Sequence, residues 1–169
     1  RKKNYYEVGQ NYFSPLIKII KSNFKNKDFK LAAYFPSNFE LNVLKFLENK
    51  YVKNQNILLP AIEKKNYMNF FSWKKNQVLF VNKFGMLEPG KTTKKIPNCI
   101  LVPILAFDKA KYRLGYGKGF YDKYLNKYLK KFKNIWTVGV AFSFQKYHKL
   151  PIDSKDVKLN YILTEKGIF

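Results

Sequence analysis

A glycine-rich segment with charged residues at short spacing is the part of this chain best suited to chemistry. It reads R-L-G-Y-G-K-G-F-Y-D over residues 113–122, with an apolar run before it and a helical pattern after it. Glycines let backbone N–H groups approach an anion, and the N-terminus of a helix adds a favourable dipole. Arg113 and Lys118 could neutralise phosphate charge, and Asp122 could hold the accompanying magnesium. The segment therefore predicts a phosphate-binding loop.

Three standard glycine motifs do not describe this loop. The dinucleotide fingerprint requires glycine at its sixth position, where Phe120 stands. The Walker A loop requires a different spacing and a final hydroxyl, and the protein-kinase loop requires later H-R-D and D-F-G motifs that the sequence lacks. On spacing alone, a strand-to-helix turn whose glycines only satisfy positive φ angles is an equally good interpretation.

The composition indicates one compact domain in a reducing compartment. The chain has 169 residues, 46% of them hydrophobic and 18% aromatic, which excludes an intrinsically disordered protein. Its single cysteine, Cys99, cannot form an internal disulfide. No apolar stretch is long enough to cross a bilayer. We therefore expect a cytoplasmic protein without a membrane partner.

The net charge of +22 raises the alternative of a nucleic-acid-binding protein. Of the 33 basic residues, however, only Arg1 and Arg113 are arginine, the residue best suited to bidentate base recognition. The lysines are spread along the chain, as expected for solvated helix faces. We expect no specific nucleic-acid partner, and a basic nucleic-acid-associated α/β protein remains the second hypothesis.

Hydrophobic periodicity predicts alternating helices and strands. Helices are predicted over residues 16–24, over 39–51 and directly after the glycine loop. Strands are predicted over residues 31–35, 57–61, 67–73, 78–81, 100–107, 135–142 and 161–163, with a turn-rich loop over 85–93. This alternation predicts a single-domain, three-layer α/β fold with a mainly parallel sheet. Ligands of such folds bind beyond the carboxyl ends of the strands, where the glycine loop should lie.

The motif pattern resembles the 5-formyltetrahydrofolate cyclo-ligase family. The pattern V-P-x-L-A-F-D over 102–108 is followed by R-L-G-Y-G-K-G-F-Y-D-x-Y-L over 113–125, and the similarity continues through G-V-A-F at 139–142 and Y-F-P at 34–36. The resemblance implies a Rossmann-like single domain over residues 1–169. It also implies a reaction that converts ATP and 5-formyltetrahydrofolate into 5,10-methenyltetrahydrofolate, ADP and phosphate, with Mg²⁺. In this reaction the formyl oxygen is phosphorylated, and N10 then attacks the formyl carbon.

The resemblance also implies site residues. Lys118 and Arg113 would act on the transferring phosphoryl group, and Asp122 with Asp156 would bind Mg²⁺. The residues implied for ATP binding are Arg1, Arg113, Leu114, Gly115, Tyr116, Gly117, Lys118, Gly119, Phe120 and Tyr121. The residues implied for the reduced folate are Phe35, Glu40, Tyr116, Phe120 and Tyr121. Phe84 is a further candidate for lining the flat folate rings.

Simpler interpretations of the acidic residues remain open. Glu40 could be a first-turn acid of the predicted 39–51 helix, Asp122 a first-turn acid favoured by the helix dipole, and Asp156 a solvated loop residue.

The sequence departs from the family pattern in two places. Family members usually begin with a basic helix that contacts the triphosphate, whereas this sequence starts at Arg1, so we expect that helix to be truncated. Asn42 and Val43 stand where an acid and a threonine are more usual. An inactive cyclo-ligase-like protein is therefore a third hypothesis. The leading hypothesis is a monomeric enzyme whose partners are ATP and a reduced folate.

Overall fold

The computed structural model describes residues 7–24, 29–52 and 56–169. Short 3₁₀ turns lie at residues 10–13, 64–66 and 143–145. Along the chain the regular elements are α1 (Ser14–Asn23), β1 (Lys30–Ala32), α2 (Leu44–Leu47), β2 (Asn56–Ile62), β3 (Met68–Ser72), β4 (Leu79–Val81), β5 (Leu87–Pro89), β6 (Cys99–Pro103), β7 (Ala106–Phe107), β8 (Arg113–Leu114), α3 (Phe120–Tyr128), β9 (Trp136–Val140), β10 (Tyr161–Thr164) and β11 (Gly167–Ile168).

A seven-stranded sheet in the order β11-β10-β9-β6-β1-β2-β3 forms the centre of the molecule. Its five inner strands pair in parallel, and the edge strands β3 and β11 pair antiparallel to their neighbours. Most residues of the inner strands are apolar because both faces of the sheet are covered. The predicted α/β class with a mainly parallel sheet is confirmed.

Two apolar layers, one on each face of the sheet, produce the three-layer architecture. The layer that contains α1 includes Phe13, Leu16, Ile20, Leu31, Leu101 and Val138. The layer that contains α3 includes Ala32, Ile100, Val102, Tyr124 and Leu125. Successive strand residues alternate between these layers because neighbouring side chains of a strand point to opposite faces. Within the described ranges, no helix is both long and apolar enough to span a membrane.

The predicted helix over 39–51 is wrong for most of its length. Only Leu44–Leu47 is helical, and Phe39 has a φ of 63°, which starts a turn rather than a helix. The side-chain Oδ1 of Asn42 accepts a hydrogen bond from the Leu44 N–H at 2.9 Å, so the short helix begins at a side-chain-capped turn. The apolar periodicity is misleading because Leu41 and Val43 enter the core from an irregular loop. Glu40 is therefore not in the first turn of a helix.

The other predicted element boundaries differ less from the observed ones. The apolar run over 100–107 is divided into β6 and β7, and the predicted loop over 85–93 contains β5. β5 pairs antiparallel with β4 as a hairpin outside the main sheet. β7 and β8 form a second antiparallel pair, directly before the glycine loop. These two small pairs both contribute to the surroundings of the candidate site.

Candidate active site

The glycine loop connects β8 to α3 near the carboxyl end of the parallel sheet. β7 follows β6 closely, and Phe107 forms a bridge with Lys146, which lies beyond the end of β9. Gly117 and Gly119 have φ angles of 75° and 64°, which side-chain-bearing residues rarely adopt. Gly119 directly precedes α3, and no side chain caps that helix end. The first N–H groups of α3 therefore have no side-chain cap among the described residues and could bind an anion, which the prediction of a phosphate loop requires.

Lys118 is the exposed cation of this loop. Its side chain forms no salt bridge within the described parts of the chain, and its Nζ lies 5.8 Å from the ring centroid of Phe84. Leu114, Gly115 and Tyr116 are also exposed. An exposed lysine between positive-φ glycines can reach an oxyanion that the loop N–H groups bind.

Arg113 and Asp122 form a bidentate ion pair beneath the loop. Nη1 and Nη2 of Arg113 donate to Oδ1 and Oδ2 of Asp122 at 3.0 and 2.9 Å. Their side chains are only 6% and 19% exposed. Oδ1 of Asp122 also accepts a hydrogen bond from the Val157 N–H at 3.1 Å. Asp122 is thus more than a surface acid at a helix N-terminus, because it joins β8, α3 and the 153–157 loop.

The two acids expected to bind Mg²⁺ lie on adjoining segments. Asp122 accepts its hydrogen bond from the N–H of Val157, the residue after Asp156. The Oδ2 of Asp156 in turn accepts a hydrogen bond from the Asp153 N–H at 2.8 Å. No group of three or more acidic, histidine or cysteine side chains that could hold a metal occurs among the described residues. A site made by protein alone is therefore not supported. Both oxygens of Asp122 are engaged by Arg113, so Mg²⁺ that arrives on nucleotide phosphates would have to share this carboxylate with the guanidinium and would keep most of its water and phosphate ligands.

Glu40 is a buried carboxyl group on the loop that follows β1. It is 7% exposed, and its Oε2 accepts a hydrogen bond from the Ser37 N–H at 2.7 Å. Burial raises the pKa of Glu40 to about 7, although the Ser37 N–H opposes this shift. The interpretation of Glu40 as a first-turn acid of a 39–51 helix is thus wrong, because the carboxyl group is buried on an irregular loop that precedes α2.

The charge of Glu40 affects the pKa values of three tyrosines that come from two segments of the chain. Burial, followed by the charge of Glu40, raises the pKa values of Tyr34, Tyr116 and Tyr121, that of Tyr116 to about 12. The Tyr34 hydroxyl donates to the Leu41 carbonyl at 2.8 Å. The Tyr121 hydroxyl is buried and has no hydrogen-bond partner among the described residues. Glu40 therefore lies close enough to Tyr116 and Tyr121 to affect the pKa values of both, and the buried Tyr121 hydroxyl is a group that a ligand could contact.

Phe35 lines a neighbouring cleft that the sequence did not predict. The cleft has a volume of about 660 Å³, within the range of small-molecule sites, and is lined by Phe35, Leu44, Leu47, Glu48, Ile57, Trp73, Lys74, Lys75, Gln77 and Leu79. The Lys75 Nζ forms an ion pair with Glu48 Oε1 at 2.6 Å. These residues come from distant segments, so no local pattern could reveal the cleft. Phe35 is shared between this cleft and the loop that carries Glu40.

Of the remaining predicted residues, Phe120 can be located in the structure and Arg1 cannot. The ring of Phe120 lies edge-on to Phe84, with centroids 5.5 Å apart, and so contacts the β4–β5 hairpin. Arg1 lies outside the described residues, and its predicted contact with ATP stays a prediction.

The similarity to known proteins agrees with this geometry. The sequence model of the 5-formyltetrahydrofolate cyclo-ligase family matches residues 14–165. A Haemophilus influenzae 5-formyltetrahydrofolate cyclo-ligase is 30% identical over 140 residues, which cover 79% of this chain and 74% of the relative. The NMR structure of Aquifex aeolicus 5,10-methenyltetrahydrofolate synthetase has a TM-score of 0.69 and 31% identity, covering 94% of this chain and 80% of that one. Since the family match includes most of the chain and the site segments, this chain belongs to the 5-formyltetrahydrofolate cyclo-ligase family.

Proposed function

We propose that this chain catalyses the ATP-dependent cyclisation of 5-formyltetrahydrofolate to 5,10-methenyltetrahydrofolate, with release of ADP and phosphate. The observation that carries the proposal is that the N-terminal end of α3 and the surroundings of Glu40 involve the same glycine-rich segment. The glycine loop opens onto the uncapped end of α3, and Tyr116 and Tyr121 of the same segment lie within the electrostatic influence of buried Glu40. One stretch of chain thus carries the residues that we assign to a candidate anion site and to a candidate polar, aromatic site. We also propose that the protein acts as a cytoplasmic monomer.

The reaction needs positioning and charge neutralisation more than a protein nucleophile. The formyl oxygen is a poor leaving group until it is phosphorylated, after which N10 can attack the formyl carbon and phosphate departs. The loop N–H groups would bind the triphosphate, and Lys118 would neutralise the charge on the transferring group. Arg113, whose charge is paired with Asp122, would present a fixed guanidinium below the loop. Mg²⁺ held by Asp122 and Asp156 would supply further neutralisation when it binds with ATP.

The reduced folate would bind on the Glu40 side of the loop. An ionised Glu40 carboxylate can accept two hydrogen bonds from the N–H groups of a pterin edge, which gives orientation as well as affinity. The unpartnered hydroxyl of Tyr121 would meet a polar atom of the same ring system, and the half-exposed ring of Tyr116 would cover one face. The apolar cleft beside Phe35 has room for the non-reacting arm of the folate.

The proposal is tested by mixing the protein with Mg-ATP and 5-formyltetrahydrofolate and recording methenyl absorbance in the near ultraviolet. We expect an increase that disappears when ATP is omitted. ATP binding without any product would instead support an inactive relative. Salt-sensitive oligonucleotide binding without product would support the nucleic-acid hypothesis.

Glu40 predicts a pH dependence of folate binding that ATP binding should lack. Because the carboxylate must be ionised to accept the pterin hydrogen bonds, the KM for folate should rise as pH falls below about 7, by up to about tenfold per unit. Glu40→Gln should have a raised folate KM that no longer depends on pH, with the KM for ATP nearly unchanged. Initial rates from pH 5.5 to 8.5 measure both constants, and an unchanged folate profile in the variant would remove Glu40 from the folate site.

The free energy of unfolding provides an independent measurement of the raised pKa of Glu40. A carboxyl group whose pKa is raised by folding is least costly when neutral, so the stability of the protein should fall as pH rises from about 4.5 through about 7. Glu40→Gln should therefore match the original chain near pH 4 and exceed it at pH 8 by on the order of 2–3 kcal/mol. Urea unfolding at the two pH values measures this difference.

A further inference from the structure

The tip of the β4–β5 hairpin touches the glycine loop. The ring of Phe84 lies edge-on to Phe120 with centroids 5.5 Å apart, and the Lys118 Nζ lies 5.8 Å from the centroid of the same ring. Phe84 is 37% exposed, so its ring is only partly covered. The hairpin therefore provides a side wall next to the one exposed cation within the segment 113–122.

Asn82 gives the hairpin tip a defined shape. Its side-chain Oδ1 accepts hydrogen bonds from the N–H groups of Phe84 and Met86 at 2.8 and 3.1 Å. Its backbone N–H donates to the Met86 carbonyl, its carbonyl accepts from the Gly85 N–H, and Gly85 has a φ of 77°. This is a closed turn whose geometry needs glycine at that position. The backbone position of Phe84 is thus set by hydrogen bonds to the side chain and main chain of Asn82 and its neighbours.

A buried carboxylate attaches the hairpin to the main sheet. Glu88 on β5 is 8% exposed, and its Oε2 accepts hydrogen bonds from the Asn82 Nδ2 at 3.1 Å and from the Ile62 N–H at 3.0 Å. Ile62 is the last residue of β2, so the hairpin is joined to the carboxyl end of a central-sheet strand. The contacts run without interruption from β2 through Glu88 and Asn82 to the tip.

We propose that Phe84 is a positioning residue that holds the Lys118 ammonium in place for the phosphates. The inference rests on the proposed function. An ammonium group is attracted to the face of an aromatic ring, and a lysine side chain otherwise loses much rotational freedom when it binds an anion. Lys83 lies 5.1 Å from the same centroid, but its Nζ donates to Asn66 Oδ1 at 2.8 Å. Of these two lysines, Lys118 is therefore the one whose ammonium group the ring positions for a ligand.

The test compares Phe84→Ala, Phe84→Leu and Phe84→Tyr by calorimetric titration with ADP and by the KM for ATP. Phe84→Ala and Phe84→Leu should each weaken nucleotide binding about twofold to fivefold, because neither side chain has an aromatic face. Phe84→Tyr should retain binding, and the KM for folate should change in none of them. Phe80→Ala is the matched control: Phe80 is an exposed ring of the same hairpin, and its removal should leave both constants unchanged.

A double-mutant cycle shows whether Phe84 acts through Lys118. In a Lys118→Met background, Phe84→Ala should cause no further loss of ADP affinity, since the interaction is already gone. The same loss in both backgrounds would overturn the proposal, as would full binding by Phe84→Leu or an effect confined to the folate KM. If the unmodified chain neither binds ADP nor forms the methenyl product, the proposed function itself fails. If the unmodified chain binds ADP and Phe84→Ala binds it with the same affinity, only the Phe84 proposal is overturned.

Discussion

Lys118→Ala is expected to lower kcat/KM for ATP by about 10²-fold or more without changing the unfolding midpoint. The exposed ammonium contributes little to the core, but Lys118 belongs to the loop whose N–H groups we propose to bind phosphate. A cation aimed at the transferring phosphoryl group stabilises the charge that develops there. Initial rates at varied ATP, together with thermal unfolding, measure the two effects.

Lys123→Ala is the matched control for this experiment. Lys123 lies five residues further along the chain, in α3, and is likewise an exposed lysine. Removing it changes the net charge by the same amount, so any general loss of electrostatic attraction for ATP affects both variants equally. Equal losses in the two variants would contradict a specific role for Lys118.

Asp122→Asn is expected to damage both stability and metal use. The substitution leaves the Arg113 guanidinium, whose side chain is 6% exposed, without its charged partner. Removing one member of a fully buried ion pair costs about 3–5 kcal/mol, and because the aspartate is 19% exposed we expect a loss at or just below the lower limit of that range, about 2–3 kcal/mol. If Asp122 also binds Mg²⁺, the variant should need more Mg²⁺ for half-maximal ATP turnover. Urea unfolding and a Mg²⁺ titration measure these effects separately.

Two further variants separate the roles of Asp122. Asp156→Asn should raise the Mg²⁺ requirement with a smaller loss of stability, because Asp156 forms no salt bridge within the described segments. The double variant Arg113→Met with Asp122→Leu should recover part of the stability, since it removes both buried charges but leaves the Val157 N–H without its acceptor, while ATP turnover remains impaired. An unchanged Mg²⁺ dependence in Asp122→Asn would exclude Asp122 from the metal site.

The sheet and the glycine loop could be predicted because their signals are local. A central parallel strand such as β6 is covered on both faces, so it must be apolar at every position. The loop before α3 needs glycines where φ is positive, and Gly117 and Gly119 stand at such positions. The failure over 39–51 has a physical reason as well. Apolar spacing reports which residues are buried, and Leu41 and Val43 are buried from an irregular loop that begins with a positive φ at Phe39.

The amino-acid sequence by itself determined the α/β class, the glycine loop before α3 and the charges that this loop carries. The tertiary structure alone decided the relations between distant segments. It buried Glu40 beside Tyr121, and it placed the hairpin ring of Phe84 against Lys118. It also formed the cleft beside Phe35. The reason is that backbone conformation and strand burial depend on neighbouring residues, whereas pKa shifts, ion pairs and clefts depend on side chains that only the complete fold brings together.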